Sequence, residues 1–410
     1  MKFGSKYPWV VVGLLWFVAL LNYLDRQMIS TMRPAMKIDL AELESASNFG
    51  ALMAVFLWVY GLMSPVAGLI ADRVNRKLLI VASLTIWSAV TLAMGYATDF
   101  QTLYILRAVM GFSEAAYIPA ALALIADYHS DQTRSLAIGI HMTGIYLGQA
   151  LGGFGATIAE RFSWQRTFFL FGWVGLFYAL ILIIFLKEYR GSEKNASEHK
   201  SANIPLITSF STLFKNPAFW VILVVFAVPS LPGWAIKNWL PTLFSENLNL
   251  DMATAGPLAT ITIAASSFIG VIAGGVISDL WLQRHLKGRI FTSAIGLSLT
   301  IPALFLIGYG DSVLSVVGAA ALFGLGFGLF DANNMPILCQ FVSPRYRATA
   351  YGFMNLVGVF FGAYVTSLLG KISDQGHLGQ GFIGLGLIVI VAVLSQLFLL
   401  KPHTRNLHEG

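Results

Sequence analysis

Apolar residues run along this chain in stretches of about twenty, enough for a helix to cross the hydrocarbon core of a bilayer. Polar residues fall between the stretches. The runs begin near Trp9, Phe49, Leu78, Leu103, Leu136 and Thr167 and, after a gap, near Ala218, Ala253, Ile290, Val313, Ala348 and Gly381, which predicts twelve spans. The longest polar interruption, Lys187 to Leu206, contains GSEKNASEHKSAN and reads as a flexible charged linker. The expected architecture is an all-α membrane protein, with an N-terminal six-helix bundle (1–186), a cytoplasmic linker (187–210) and a C-terminal six-helix bundle (211–410).

Composition agrees with the pattern. Of 410 residues, 57% are hydrophobic and 11% charged, with mean hydropathy +0.72, which leaves too few polar groups for an ordinary soluble surface. With the N-terminus cytoplasmic, 18 of the 26 Lys and Arg fall on the cytoplasmic side, 5 on the other and 3 within spans. That bias is what the positive-inside rule expects of a chain with both termini in the cytoplasm. Membrane topology therefore accounts for the net charge of +6 and the pI near 9.3 without a nucleic-acid partner. Lys2 and Lys6 before an apolar run resemble a signal peptide, but the run is long and no small-residue cleavage site follows, so it is expected to persist as the first span. The one cysteine, Cys339, allows no internal disulfide and offers no metal-ligand spacing.

The most informative positions are charges inside the spans: Asp25 and Arg26 in the first, Arg107 and Glu114 in the fourth. A charge at membrane depth costs several kcal/mol unless paired or wetted, and it usually marks an ion or substrate pathway. At about 1.5 Å per residue, Asp25 lies about 24 Å from the cytoplasmic start of its span and Arg107 about 22 Å from the same side. This depth match predicts an ion pair of Asp25 with Arg107, leaving Arg26 for Glu114 or for an anionic substrate. Glu114, two turns beyond Arg107 on nearly the same face, falls near mid-bundle. A proton that neutralises either carboxylate frees an Arg to grip an anion, which is symport in outline.

Two loops repeat one another. Gly68, Asp72, Arg73, Asn75, Arg76 and Lys77 follow the second span; Gly275, Asp279, Arg284, Lys287 and Arg289 follow the eighth. Each places a Gly four residues before an Asp, with basic residues beyond. The first resembles the loop signature G-x-x-x-D-R-x-G-R-[RK] of the major facilitator superfamily, with Asn75 for the second Gly; Asn also tolerates a left-handed turn. These charges lie at the cytoplasmic boundary and read as gating and topology elements: Gly68, Asp72, Arg73, Arg76, Lys77, Gly275, Asp279 and Arg289.

Asn22-Tyr23-Leu24-Asp25-Arg26, Arg107 through Glu114 to Pro119, and Trp234 with Trp239-Leu-Pro241 look like the anion:cation symporter branch of that superfamily. Its bacterial members carry hexuronates, aldonates and related organic anions with protons. The resemblance implies that Asp25 and Glu114 take up protons, that Arg26 and Arg107 serve coupling and anion recognition, and that Tyr60 and Asn355 contact the sugar acid. Tyr23, in the first block, joins them as a substrate-binding candidate. Ala115 stands where many members have Gly. Gly144, Gly148, Gln149, Gly152 and Gly153 resemble the superfamily's antiporter glycine motif, but Gln149 replaces its usual Pro, which argues against exchange.

Lys237, the third intramembrane cation, either contacts the anion or snorkels to the outer interface. Asp331, Asn333 and Asn334 before Pro336 are costly in lipid, so Asn333 and Asn334 are expected to reach sugar hydroxyls or to bond between helices. His141 reads as a satisfied polar contact or a titrating group. The expected function is proton-coupled symport of a small organic monocarboxylate, a sugar acid of the hexuronate, aldonate or sialic acid class, by a monomer in the bacterial inner membrane, with no cofactor beyond the coupling proton. The helix-four block through Asp127 and Arg134 also resembles Spinster-like lipid carriers, so a lipid or lysolipid is the alternative. A membrane enzyme would need a nucleophile, metal or phosphate motif that the sequence lacks, and a sensor would need a signalling domain.

Overall fold

A computed structural model describes residues 6–71, 74–189, 212–343, 346–402 and 404. All regular structure among the described residues is helical, without strands. Before the linker come α1 (Tyr7–Met36), α2 (Ala46–Ala71), α3 (Arg76–Met94), α4 (Phe100–Glu114), α5 (Tyr117–Tyr128), α6 (Asp131–Gly152), α7 (Gly155–Phe162) and α8 (Trp164–Phe185). After it come α9 (Pro217–Leu248), α10 (Met252–Arg284), α11 (Gly288–Tyr309), α12 (Val313–Asp331), α13 (Asn334–Phe341), α14 (Arg347–Asp374) and α15 (Leu378–Leu399). Most of the predicted linker, with Asp72 and Arg73, lies outside the described residues.

Eleven helices or helix pairs among the described residues are long and apolar enough to cross a membrane. The predicted fifth span, α6 with α7, is absent from that set because Arg134, His141 and Gln149 dilute its apolar run. It nevertheless packs into the bundle against α1 and α10. Its glycines explain how: a side chain at Gly144 or Gly148 would collide with the α1 backbone at Trp16 or Leu20, and one at Gly152 with Gln27. Small residues thus let the helices touch backbone to backbone.

Side-chain caps start the helices. Asn75 accepts from Leu78 N at α3, Asp99 from Thr102 N at α4, and Asp251 from Thr254 N at α10. Hydrogen bonds from Thr102 and Thr254 hold the Asp99 and Asp251 carboxyls below the usual carboxylate range. Two spans break for the same reason. Pro119 and Pro336 each lack an N–H, and their rings clash with the carbonyls four residues back, at Ala115 and Ala332. Hence α4 stops at Glu114 and α12 at Asp331, so an acidic side chain sits at each break.

The helix ends that carry the basic loops are called here the basic end. At the opposite end the two groups of helices meet tightly. A side chain at Gly50 would meet the Thr366 carbonyl and Trp239, one at Gly370 the Ala46 carbonyl, and Gly153 and Gly256 face each other with equally little room. Thr260 Oγ1 donates to Ala150 O at 2.9 Å and Thr157 Oγ1 to Ala253 O at 3.1 Å. Toward the basic end the same helices part: a methyl at Gly68, Gly139, Gly275 or Gly352 would have no neighbour within 4 Å. The molecule is therefore closed at one end and open at the basic end.

Candidate functional site

The charges of the first and fourth spans converge. Arg26 Nε donates to Glu114 Oε2 at 2.5 Å, with Glu114 fully buried and the Arg26 side chain 9% exposed. Three rings enclose the guanidinium, with centroids at 4.5 Å (Tyr60), 4.8 Å (Tyr23) and 5.0 Å (Phe56). The other side of the site belongs to Arg107, whose guanidinium lies 4.8 Å from the same Phe56 ring and donates to Met110 Sδ. Cation–π contact with ring faces offsets part of the cost of desolvating two cations in this small volume.

The expected bridge between Asp25 and Arg107 does not form. Among the described residues no ion pair joins them within 4.0 Å, and Asp25 Oδ1 has no hydrogen-bond partner. Equal depth does not decide which side chains meet: α1 turns Arg26 toward Glu114, and Asp25, the residue before it, projects about 100° away around the helix. Buried atoms without partners concentrate here: both amide atoms of Asn22, Asp25 Oδ1, Arg26 Nη2, Arg107 Nε and Glu114 Oε1. Each such group costs about 1–3 kcal/mol in an apolar interior, so this cluster is a poor way to stabilise a bundle.

Tyr23 connects the cluster to a cavity of about 130 Å³. Lys237, Gln149, Tyr146, Ser267 and Asp331 supply its polar lining, and Phe323, Phe327, Ile236 and Ile263 much of its apolar wall. Lys237 thus faces the cavity and not the outer interface; its ammonium lies 4.9 Å from the Trp234 ring and Gln27 Nε2 donates to its carbonyl at 2.6 Å. Arg26, Arg107, Asn333, Asn334, Tyr60 and Asn355 are not among the lining residues. Asn333 donates back to Leu329 O at 2.9 Å, and Asn334 Nδ2 donates to Asp331 Oδ1 at 3.0 Å. The cavity-facing position expected of the two asparagines therefore goes to Asp331, which Asn334 orients. Asn355 is half-buried on α14. Sequence reading missed Phe56, although it lies four residues before Tyr60 on the same face of α2, and missed Tyr146 and Gln149 as cavity residues.

His141 is fully buried outside the cavity. Tyr117 Oη donates to Leu15 O at 2.6 Å and so accepts from His141 Nε2 at 3.0 Å, a chain that ties α6, α5 and α1 together.

The loop charges hold their own neighbourhoods. Arg76 pairs with Asp127, and the backbone N–H groups of Arg76 and Lys77 donate to Glu188 at 3.2 and 2.7 Å. Arg289 approaches Asp279 at 3.5 Å. At the closed end a latch does cross between the two groups of helices. Asp374, ending α14, accepts from Ala46 N at 2.5 Å, Ser47 N at 2.9 Å and Ser45 Oγ at 2.9 Å, and thereby caps the N-terminus of α2. Hydrogen bonds to a charged group contribute about 1.5–3 kcal/mol each, so Asp374→Ala should loosen this end. In a Cys339→Ser, Leu240→Cys background, thiol labelling from the closed side is expected to rise at least about tenfold, equivalent to about 1.4 kcal/mol. Unchanged labelling would mean that Asp374 does not hold the gate.

A helical bundle closed at one end, with buried charges beside a central cavity, is the architecture of a transporter. The Major Facilitator Superfamily profile matches residues 15–366, and the chain belongs to that family, whose members are transporters and not enzymes. Two curated relatives span most of the chain. It is 26% identical over 408 residues to a hexuronate transporter of Bacillus subtilis, covering 97% of this chain and 96% of that one. It is 28% identical over 399 residues to protein spinster homolog 1 of Xenopus laevis, covering 90% of this chain and 74% of that one. The fold matches a crystal structure of a bacterial homolog to the human lysosomal transporter Spinster, inward-facing and unoccupied, with a TM-score of 0.81 at 20% identity, over 96% of this chain and 97% of that one.

Proposed function

We propose that the protein is a proton-coupled symporter of a sugar acid that works by alternating access, with halves 1–186 and 211–410 rocking about the cavity. The buried Arg26–Glu114 bridge, with Asp25 beside it and Tyr23 leading to the cavity, carries this reading. A proton on Glu114 removes the charge that holds Arg26, and Asp25 supplies a second acceptor next to it. Arg26, once released, can swing past Tyr23 toward an anion in the cavity, so proton and anion enter together. Arg107 keeps the site electropositive when both carboxylates are neutral. No cofactor is required. With both termini cytoplasmic, the open basic end faces inward, in a bacterial inner membrane.

Lys237 is the cation that reaches the cavity directly and is assigned to the substrate carboxylate. Loss of a hydrogen bond to a charged group, about 1.5–3 kcal/mol, predicts that Lys237→Ala raises the half-saturating concentration roughly ten- to a hundredfold. An unchanged value would remove Lys237 from the site.

A second reading is supported by the spinster relative and by the aromatic wall at Phe323 and Phe327: a lipid or lysolipid occupies the cavity. Uptake into proteoliposomes separates the two. Gradient-driven accumulation of labelled glucuronate or galactonate, but not of lysophosphatidylcholine, supports the sugar-acid reading; movement of the lysolipid alone would replace it.

A further inference from the structure

The acid–base pair of the first half has a counterpart in the second. Lys237 lies 20 residues into α9, the first helix after the linker, as Arg26 lies 19 residues into α1, the first before it. Asp331 ends α12 five residues before Pro336, as Glu114 ends α4 five residues before Pro119. Spans one and four thus carry Arg26 and Glu114 where spans seven and ten carry Lys237 and Asp331. The two pairs differ in state. The first is bridged and buried, whereas Lys237 and Asp331 both face the cavity, and among the described residues no salt bridge joins them.

Asn334 fixes Asp331 through Oδ1, and among the described residues no protein donor reaches Oδ2. Asp331 lies on the wall of the cavity, where Lys237 on the same wall and the hydrogen bond from Asn334 balance the charge of an ionised carboxylate. It is an acceptor only. One wall therefore offers a cation that can hold a carboxylate and, beside it, an anion that welcomes hydroxyl donors and repels a second carboxylate.

The geometry points to Asp331 as the residue that restricts this transporter to monoacids: Lys237 holds the single carboxylate, Asp331 accepts hydrogen bonds from hydroxyls of the polyol chain, and a dicarboxylate is rejected by like charge. Rejection by a placed charge is a standard route to specificity. The inference rests on the sugar-acid reading above and adds a selectivity rule to it.

Galactonate and galactarate test it, since they share one six-carbon skeleton and differ in having one or two terminal carboxylates. Their affinities are measured by Trp fluorescence titration of the purified full chain, with proton uptake on ligand addition followed in parallel. The wild type is expected to bind galactonate at least about tenfold more tightly than galactarate. Asp331→Asn should bring the two within about threefold, chiefly by strengthening galactarate binding, while Asp331→Glu keeps the preference. A gain in galactarate binding cannot arise from misfolding. An unchanged ratio in Asp331→Asn overturns the inference and leaves sugar-acid binding standing; an unchanged ratio with lost proton uptake would reassign Asp331 to proton transfer. Failure of the wild type to bind either acid overturns both the inference and the reading beneath it.

Discussion

Replacing Glu114 with Gln is expected to abolish accumulation of the substrate against its gradient while leaving binding and exchange in place. Gln has the shape of the protonated acid and can still accept a hydrogen bond from Arg26, so the packing around a fully buried position is kept. What is lost is the change of charge. Arg26 would face a permanently neutral partner, as in the protonated carrier, and the guanidinium would be released toward the cavity at every pH. Accumulation should then fall to equilibration, and the pH dependence of substrate binding should flatten. Both are read from counterflow and gradient-driven uptake in the same proteoliposomes. Retained accumulation in Glu114→Gln would remove the proton from this site.

Arg26→Ala has the second large effect, and it acts on stability as well as transport. Breaking a buried pair by deleting one partner costs about 3–5 kcal/mol, because the survivor is left charged and uncompensated. Here the deletion also removes the cation common to the Tyr23, Phe56 and Tyr60 rings. Substrate affinity is expected to fall about a hundredfold or more, with a lower thermal midpoint. Arg26→Lys should recover part of the stability but little transport, since an ammonium keeps the charge and loses the planar fork that fits a carboxylate. A double-mutant cycle with Glu114→Gln separates the two consequences: the stability losses should be strongly non-additive if the pair acts as one unit. Additive losses and normal affinity would assign Arg26 to packing alone.

Spans were legible because their signal is long and one-dimensional. About twenty apolar residues in a row cannot be hidden by tertiary context, and the charges within them stand out because lipid makes them costly. The fifth span was predicted from the same rule although polar residues such as Gln149 and His141 blur it, and those residues matter inside: one faces the cavity and one ties three helices. Pairing across helices was less legible. Asp25 with Arg107 followed from equal distances to a boundary, but which side chains meet also depends on how each helix is rotated about its axis against its neighbours, and that leaves no mark in the hydropathy. Asn333, Asn334 and Asp331 sit at one helix break, where the chain departs from regular geometry and a helical wheel no longer tells which side chain faces inward. Arg76 begins α3 and Asp279 lies in the last turns of α10, whereas the latch at Asp374 left no motif, because its partners are three consecutive positions at the start of another helix.

Proton-coupled symport is tested most directly by watching the proton. Purified protein in liposomes without any imposed gradient, given a saturating sugar acid on the side its basic end faces away from, should alkalinise that side as the anion enters, and Glu114→Gln should abolish the signal while the labelled acid still equilibrates. Entry of the acid with no pH change in the wild type would contradict proton coupling at the Arg26–Glu114 site.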